Sequence, residues 1–386
     1  MTAPRILIIG GTGVFGKRLV RHLAQTGSIA LYVASRSAAK AQAFCQTVTG
    51  PAPLHPIALD CGKNLQAQLA AISPFAVIDC SGPFQGASYD TAKAVLDSGA
   101  HLIDLADARD YLAGFSHALD AQAKAQGVTA LIGASSTPAL STCVAQTLTE
   151  GWQRIDTIDM CITPGGKSEV GRAVIEAILS YAGRDVPVWK DGALSSTTGW
   201  AGTRRVMIPG LGVRRVSKVE TFDAEHLGSR LNVRARVTFS AGLESQIEQR
   251  GIEALALLRK WGVLGRLNAL IPPLLAARKI TRLPTSDQGG MMVEISGIDQ
   301  TGQAAQITWT LLARNNHGPF IPILPAAAAL KKLLSGTITP GARLAPSALG
   351  LPDILAEMQP YQITTQTIKT APQACETTVR ADPLTA

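Results

Sequence analysis

The chain is poor in the features that carry most readily recognised chemistry. Its 386 residues hold six cysteines (Cys45, Cys61, Cys80, Cys143, Cys161 and Cys375), scattered and without a C-x-x-C pair. That scatter argues against a zinc ribbon, a redox dithiol or a disulfide framework, so no metal and a reducing, cytoplasmic setting are expected. Aromatic residues make up only 5% of the chain and do not interleave with its basic stretches, which speaks against nucleic acid as a partner. No G-x-S-x-G, H-E-x-x-H or P-loop pattern occurs. No uninterrupted apolar run reaches the roughly 18 residues that a membrane-spanning helix needs. Pro4 and Arg5 lead straight into an apolar strand pattern, so no secretory signal is expected.

What is present is apolar mass and glycine. The 46% hydrophobic content and mean hydropathy of +0.17 support two substantial cores in a chain of this length. The net charge of +8 is uneven: residues 1–150 carry 10 basic and 9 acidic side chains, so the excess belongs to the remainder.

The stretch "RILIIGGTGVFGKRLVRHL", residues 5–23, reads as a buried parallel strand, a glycine turn and a helix. Gly11-x-Gly13-x-x-Gly16 sits at that junction, where backbone N–H groups and the helix dipole favour a pyrophosphate. Gly11, Thr12, Gly13, Val14, Phe15 and Gly16 are therefore candidate dinucleotide contacts. The second strand ends at Ser35-Arg36-Ser37, where an NAD enzyme would place an acid for the ribose 2′-hydroxyl. Arg36 suits a 2′-phosphate instead, so NADP is the expected cofactor.

The βα alternation continues through strands near 54–60, 75–84, 100–107 and 128–138, with the fourth breaking at Gly82-Pro83. This predicts a Rossmann-type, doubly wound parallel sheet over residues 1–145, an α/β fold. Ligands in such sheets lie beyond the strands' carboxyl ends, which adds Asp60, Ser81, Gly82, Pro83, Phe84 and Ser136 as cofactor candidates. Phe84 reads either as a wall for the nicotinamide or as a core residue. Residues 146–319 read as a second α+β domain with a mixed sheet for substrate or dimerisation. Residues 320–350 are expected to pack back on the first domain, and 370–386 to form a mobile tail.

Three elements in order, Gly82-Pro83-Phe84, then Gly99 with His101 and Asp104, then Ser136 and Pro138, resemble the saccharopine dehydrogenase-like family over roughly the first 145 residues. That resemblance implies an NADP-dependent oxidoreductase acting on a C=N/C–N or C=O centre of a small molecule. Two positions depart from the family pattern: Asp107-Ala108 stands where Gly-Glu is usual, and Ser135 where Asp is common. Two other readings stay open: an enoyl (C=C) reductase on a lipid-like substrate at a membrane surface, and a non-catalytic NADP-binding sensor or scaffold.

Asp107 and His317 are the candidate proton donors. Tyr89-x-x-x-Lys93 matches the spacing of a short-chain dehydrogenase pair but follows the wrong strand, which makes it a coincidence. The arginines of residues 199–218 suit an anion or a solvated strand surface. Residues 251–279 are strongly apolar, with five basic residues, one acid and Trp261. They are read as a dimer interface, a buried helix or a peripheral membrane contact, and a homodimer is expected.

Overall fold

The structure is a computed structural model, and it describes residues 3–370. The expected mobile tail, beyond Thr370, and Cys375 lie outside the described residues.

The first domain alternates β1 (Arg5–Ile9), α1 (Gly16–Leu23), β2 (Ala30–Ser35), α2 (Ala38–Cys45), β3 (Leu54–Ala58) and α3 (Leu65–Ile72). It continues through β4 (Ala76–Asp79), α4 (Asp90–Asp97), β5 (His101–Asp104), α5 (Arg109–Ala125) and β6 (Thr129–Ile132). After α6 (Ser141–Leu148) the second domain builds β7 (Arg154–Thr163), α7 (Arg172–Tyr181), β8 (Asp185–Lys190), β9 (Ala193–Thr198), β10 (Arg204–Ile208) and β11 (Gly212–Lys218). Then come α8 (Asp223–Arg230), β12 (Arg236–Ala241), α9 (Gln246–Lys260), α10 (Ile271–Thr281), β13 (Gly289–Ile298) and β14 (Ala304–Ala313). The described chain closes with α11 (Leu324–Leu334), β15 (Gly341–Leu344), α12 (Leu351–Met358) and β16 (Ile363–Thr370).

The first sheet runs β15-β6-β5-β4-β1-β2-β3, all parallel. β1 is apolar throughout because both its faces are covered. Ile6 and Ile8 join a core that continues into the second domain, while Leu7 and Ile9 join the core under α4 and α5. Strand order reverses between β1 and β4, and the crevice at that switch point is where a ligand fits. The sheet gains a seventh strand that the sequence did not announce: β15 pairs with β6 after a crossing of two hundred residues. A four-residue strand has too little pattern to be read locally.

The second sheet has nine strands and is mixed, with β12 parallel to β7 and β13, β14 and β16 antiparallel beside it. Residues 230–235 form the end of α8 and a turn with Asn232 at φ +48°. That left-handed residue stops extended pairing until Arg236. β4 also ends earlier than Gly82-Pro83: the Asp79 carboxylate accepts the Ser81 N–H at 2.8 Å, turning the chain out of the sheet.

Candidate functional site

The glycine turn lies at the switch point. Gly10 has φ +69°, and a Cβ there would stand 3.1 Å from the backbone of Cys80 and Ser81, so the β1 turn and the β4 loop touch. Gly11 donates its N–H to the Ala34 carbonyl at 2.9 Å, and Gly13 donates to Gly10 at 2.8 Å. Gly16 lets α1 sit against the turn, since a Cβ would fall 2.1 Å from the Gly10 oxygen. Gly13 is different: its Cβ would meet only that same oxygen, at 3.1 Å. The turn is thus packed from below by Gly16 and open above at Gly13, the shape that an anion at a helix N-terminus requires.

Thr12 donates its hydroxyl to Ser35 Oγ at 3.1 Å, joining the turn to the end of β2. Ser35 Oγ also accepts the Ser37 N–H at 3.4 Å, and Ser37 caps α2 through the Lys40 N–H. Arg36 between them is exposed, with no hydrogen bond or ion pair among the described residues. Val14 lies under Gly171 of the second domain, whose Cβ would be 2.8 Å from Val14 Cγ2. Glu169 of that segment pairs with Lys17 at 2.7 Å and Arg18 at 3.3 Å. A segment of the second domain therefore overlies the head of α1.

The remaining candidates separate. Asp60 holds its own turn through the Gly62 N–H at 3.1 Å. Ser81 and Pro83 are exposed and Gly82 is half-buried, whereas Phe84 is 7% exposed and stacks obliquely on Tyr111. Its ring belongs to the core cluster under α4 and α5. Ser136 is buried beyond β6. Tyr89 donates its phenol to the Tyr111 carbonyl at 2.5 Å, a structural bond. His101 accepts the Thr129 N–H at 3.0 Å and packs on Phe75.

Asp104 is fully inside, accepting the N–H groups of Gly133 (2.7 Å) and Ala106 (3.1 Å). Burial pushes its carboxyl up to about 7. Asp107, three residues on, is exposed, and its Oδ1 accepts from the Gln85 amide at 3.3 Å. The protein packed around it still desolvates the carboxyl enough to raise it above the ordinary aspartate range. Across from it, burial raises the Tyr181 phenol, with the Asp107 and Glu220 carboxylates adding to the effect. Burial also raises Glu220, reinforced by Asp110 and Asp107. Arg109, which opposes that rise at Glu220, is bonded to Asp110 at 3.0 Å and Glu225 at 2.7 Å. Asp107, Tyr181 and Glu220 therefore lie within electrostatic reach of one another, with Asp110 and Arg109 beside them, where the second domain meets the segment after β5.

Tyr181 and Glu220 were not legible in the sequence. They come from the end of α7 and the residue pair after β11, and no local motif marks either. His317 is not brought to this group. Its Nδ1 accepts the Gln362 N–H at 2.8 Å, and its ring packs on Phe320 and Tyr361. Phe320 lies under Arg18, and Tyr361 bonds His22, so this cluster runs along one side of α1. Among the described residues no group of three His, Cys, Asp or Glu side chains could hold a metal, and no helix is long and apolar enough to cross a membrane.

Residues 6–131 match the family model of the saccharopine dehydrogenase NADP-binding domain. No curated protein sequence matches the chain. Among solved structures, apo saccharopine dehydrogenase (L-Glu forming) from Saccharomyces cerevisiae superposes with a TM-score of 0.67 at 15% identity, covering 95% of this chain and 100% of that one. A meso-DAPDH variant from Clostridium tetani gives 0.48 at 13% identity over 92% and 98% of the two chains. Amine dehydrogenase from Mycobacterium smegmatis gives 0.47 at 11% identity over 89% and 95%. The first of these likenesses establishes the two-domain fold.

Proposed function

We propose that this chain, whose residues 6–131 match the saccharopine dehydrogenase NADP-binding domain, is a saccharopine dehydrogenase-like, NADP(H)-dependent oxidoreductase acting on a small molecule between its two domains. The observation that carries this reading is a single edge: the open glycine turn, the unpaired Arg36 and Asp107 all lie beyond the carboxyl ends of one parallel sheet. NADP(H), when bound, supplies or accepts the hydride. The residues fit that cofactor. Gly11 to Gly16 would hold its pyrophosphate, and Ser35, Arg36 and Ser37 its 2′-phosphate. No acid stands at the end of β2 to repel that phosphate.

The chain's own part is proton handling and orientation. Asp107, with its raised carboxyl, keeps a proton to a higher pH than an ordinary aspartate and reaches solvent. It is the proposed proton donor and acceptor, positioned by Gln85. The acidic group of Asp107, Asp110 and Glu220 favours an amine or iminium over a carboxylate-bearing acceptor, which supports C=N/C–N chemistry.

The test is NADPH consumption followed by stopped flow with ketones plus ammonia, imines and enoyl compounds. Turnover on the ketone–ammonia or imine set is expected, and Asp107→Asn should lower kcat by about 10²–10⁴ while NADPH affinity holds. Tight NADPH binding without turnover on any acceptor would identify a sensor instead.

A separate titration addresses cofactor choice. Arg36→Ala should weaken NADPH binding by about 1.5–3 kcal/mol, the range for hydrogen bonds to charged groups, and leave NADH nearly unchanged. Equal weakening of both cofactors would remove Arg36 from the phosphate.

A further inference from the structure

The segment 251–279 resolves into an antiparallel hairpin. α9 and α10 are joined by a turn at 261–266, and Glu248 near the start of α9 bonds Arg278 and Thr281 at the end of α10. α9 turns Gln249, Ile252 and Ala256 inward. Its opposite face carries Ile247, Ala254 and Trp261 at seven-residue spacing, close to two full helical turns, so they form one outward stripe.

That stripe is uncovered. Ile247 and Trp261 are each 70% exposed, and Val263, Ile280 and Leu283 are 66%, 72% and 70% exposed. Most of the largest apolar exposures among the described residues thus fall on one hairpin, well beyond the scattered single residues of an ordinary surface.

The charges around it are sorted by sign. From 246 to 283 both acids are occupied within the protein: Glu248 by Arg278 and Thr281, Glu253 by Arg215 and Gln249. Arg259 donates to the carbonyls of Leu179, Ser180 and Ala182. The other charged side chains, Arg250, Lys260, Arg266, Lys279 and Arg282, are exposed, and all are cations. A depression of about 220 Å³ at the start of α9 is lined by Arg205, Val213, Arg215, Gln246 and Arg250. It continues the basic surface onto the β10–β11 hairpin, where Met207 and Val213 are 63% and 52% exposed.

We propose that this hairpin docks on the surface of an anionic lipid bilayer, lying in the interface plane, with the arginine-lined depression taking a lipid phosphate. An apolar stripe flanked only by cations matches that partner in both respects: the side chains enter the acyl boundary and the cations meet anionic headgroups. Trp261 at the hairpin turn is the residue type that settles at that boundary. A second copy of the chain fits poorly, because pairing the same face would oppose its own cations. Neither α9 nor α10 can cross a bilayer, so the contact is peripheral.

The full chain, loaded with NADPH, should sediment with mixed phosphatidylcholine–phosphatidylglycerol vesicles at low salt. It should be released by high salt and ignore pure phosphatidylcholine. Trp261→Ser with Ile280→Ser should weaken partitioning onto the anionic vesicles by about tenfold or more, and Arg205→Ala with Arg250→Ala should weaken it as well. Circular dichroism and NADPH affinity should match the parent chain in both variants. Failure of the parent to sediment, or equal binding to both vesicle types, would overturn the proposal. So would undiminished binding of the serine variant, or light scattering that shows a dimer dissolved by those serines. Release by inorganic phosphate where chloride of equal ionic strength leaves the protein bound would assign the depression to free phosphate and overturn its lipid role.

Discussion

Gly16→Ala should destabilise the chain by about 3 kcal/mol or more, the upper end for overpacking, and abolish measurable NADPH binding. The added Cβ would stand 2.1 Å from the Gly10 oxygen and 2.8 Å from Gly10 C and Gly11 Cα. All three are backbone atoms, so no side chain can swing away. Gly10 in turn abuts Cys80 and Ser81, so pushing the turn back strains the β4 loop, and relief comes only by lifting α1 off the sheet. Gly13→Ala is the control. Its Cβ would meet one atom, at 3.1 Å, so the unfolding midpoint should change little while NADPH affinity drops at least about tenfold. Urea unfolding and calorimetric titration of both variants decide this. A Gly16→Ala protein as stable as its parent would show that the turn is not the tight joint described.

The contrast between these glycines also shows what the sequence could and could not convey. The β1–turn–α1 unit was legible because every constraint in it is local: a doubly buried strand, a glycine joint and a helix that all fall within twenty residues. The order of strands along β1 to β6 followed from the same alternation. β15 and β16 did not, since each exists only by pairing with a partner whose distance in sequence no periodicity encodes, whereas β8 and β9 form a hairpin across the two-residue turn Asp191-Gly192, a local signal. The same division runs through the site. Arg36 and Gly82 are candidates by their place after a strand. Tyr181 and Glu220 reach Asp107 only through the folding of the second domain over the first. His317 was a candidate proton donor, yet its Nδ1 serves the Gln362 N–H and its ring the Phe320–Tyr361 cluster.

Gly82→Val is expected to fold and still lose function, which makes it the sharpest probe of where the chemistry lies. A Cβ at Gly82 would have the Phe84 ring as its nearest neighbour, at 3.4 Å, an ordinary contact, and the position does not require a left-handed φ. Thermal unfolding should therefore stay near that of the parent. The valine branches, however, would add bulk to the Ser81–Pro83 loop, whose start abuts the Gly10 turn and where Ser81 and Pro83 are open to solvent. In a doubly wound sheet the adenine half lies toward β2, so the crevice at the switch point is left for the nicotinamide half. Binding of 2′,5′-ADP, which carries only the adenine end and the 2′-phosphate, should be nearly unchanged. NADPH should bind at least about tenfold more weakly, and kcat/KM on an accepted substrate should fall by about 100-fold, the cost of displacing a reacting group by an ångström or so. An equal loss of 2′,5′-ADP and NADPH affinity would put Gly82 at the adenine end. Unchanged turnover in the folded variant would remove the Ser81–Phe84 loop from the reaction site altogether, leaving Asp107 and Tyr181 without a nicotinamide beside them.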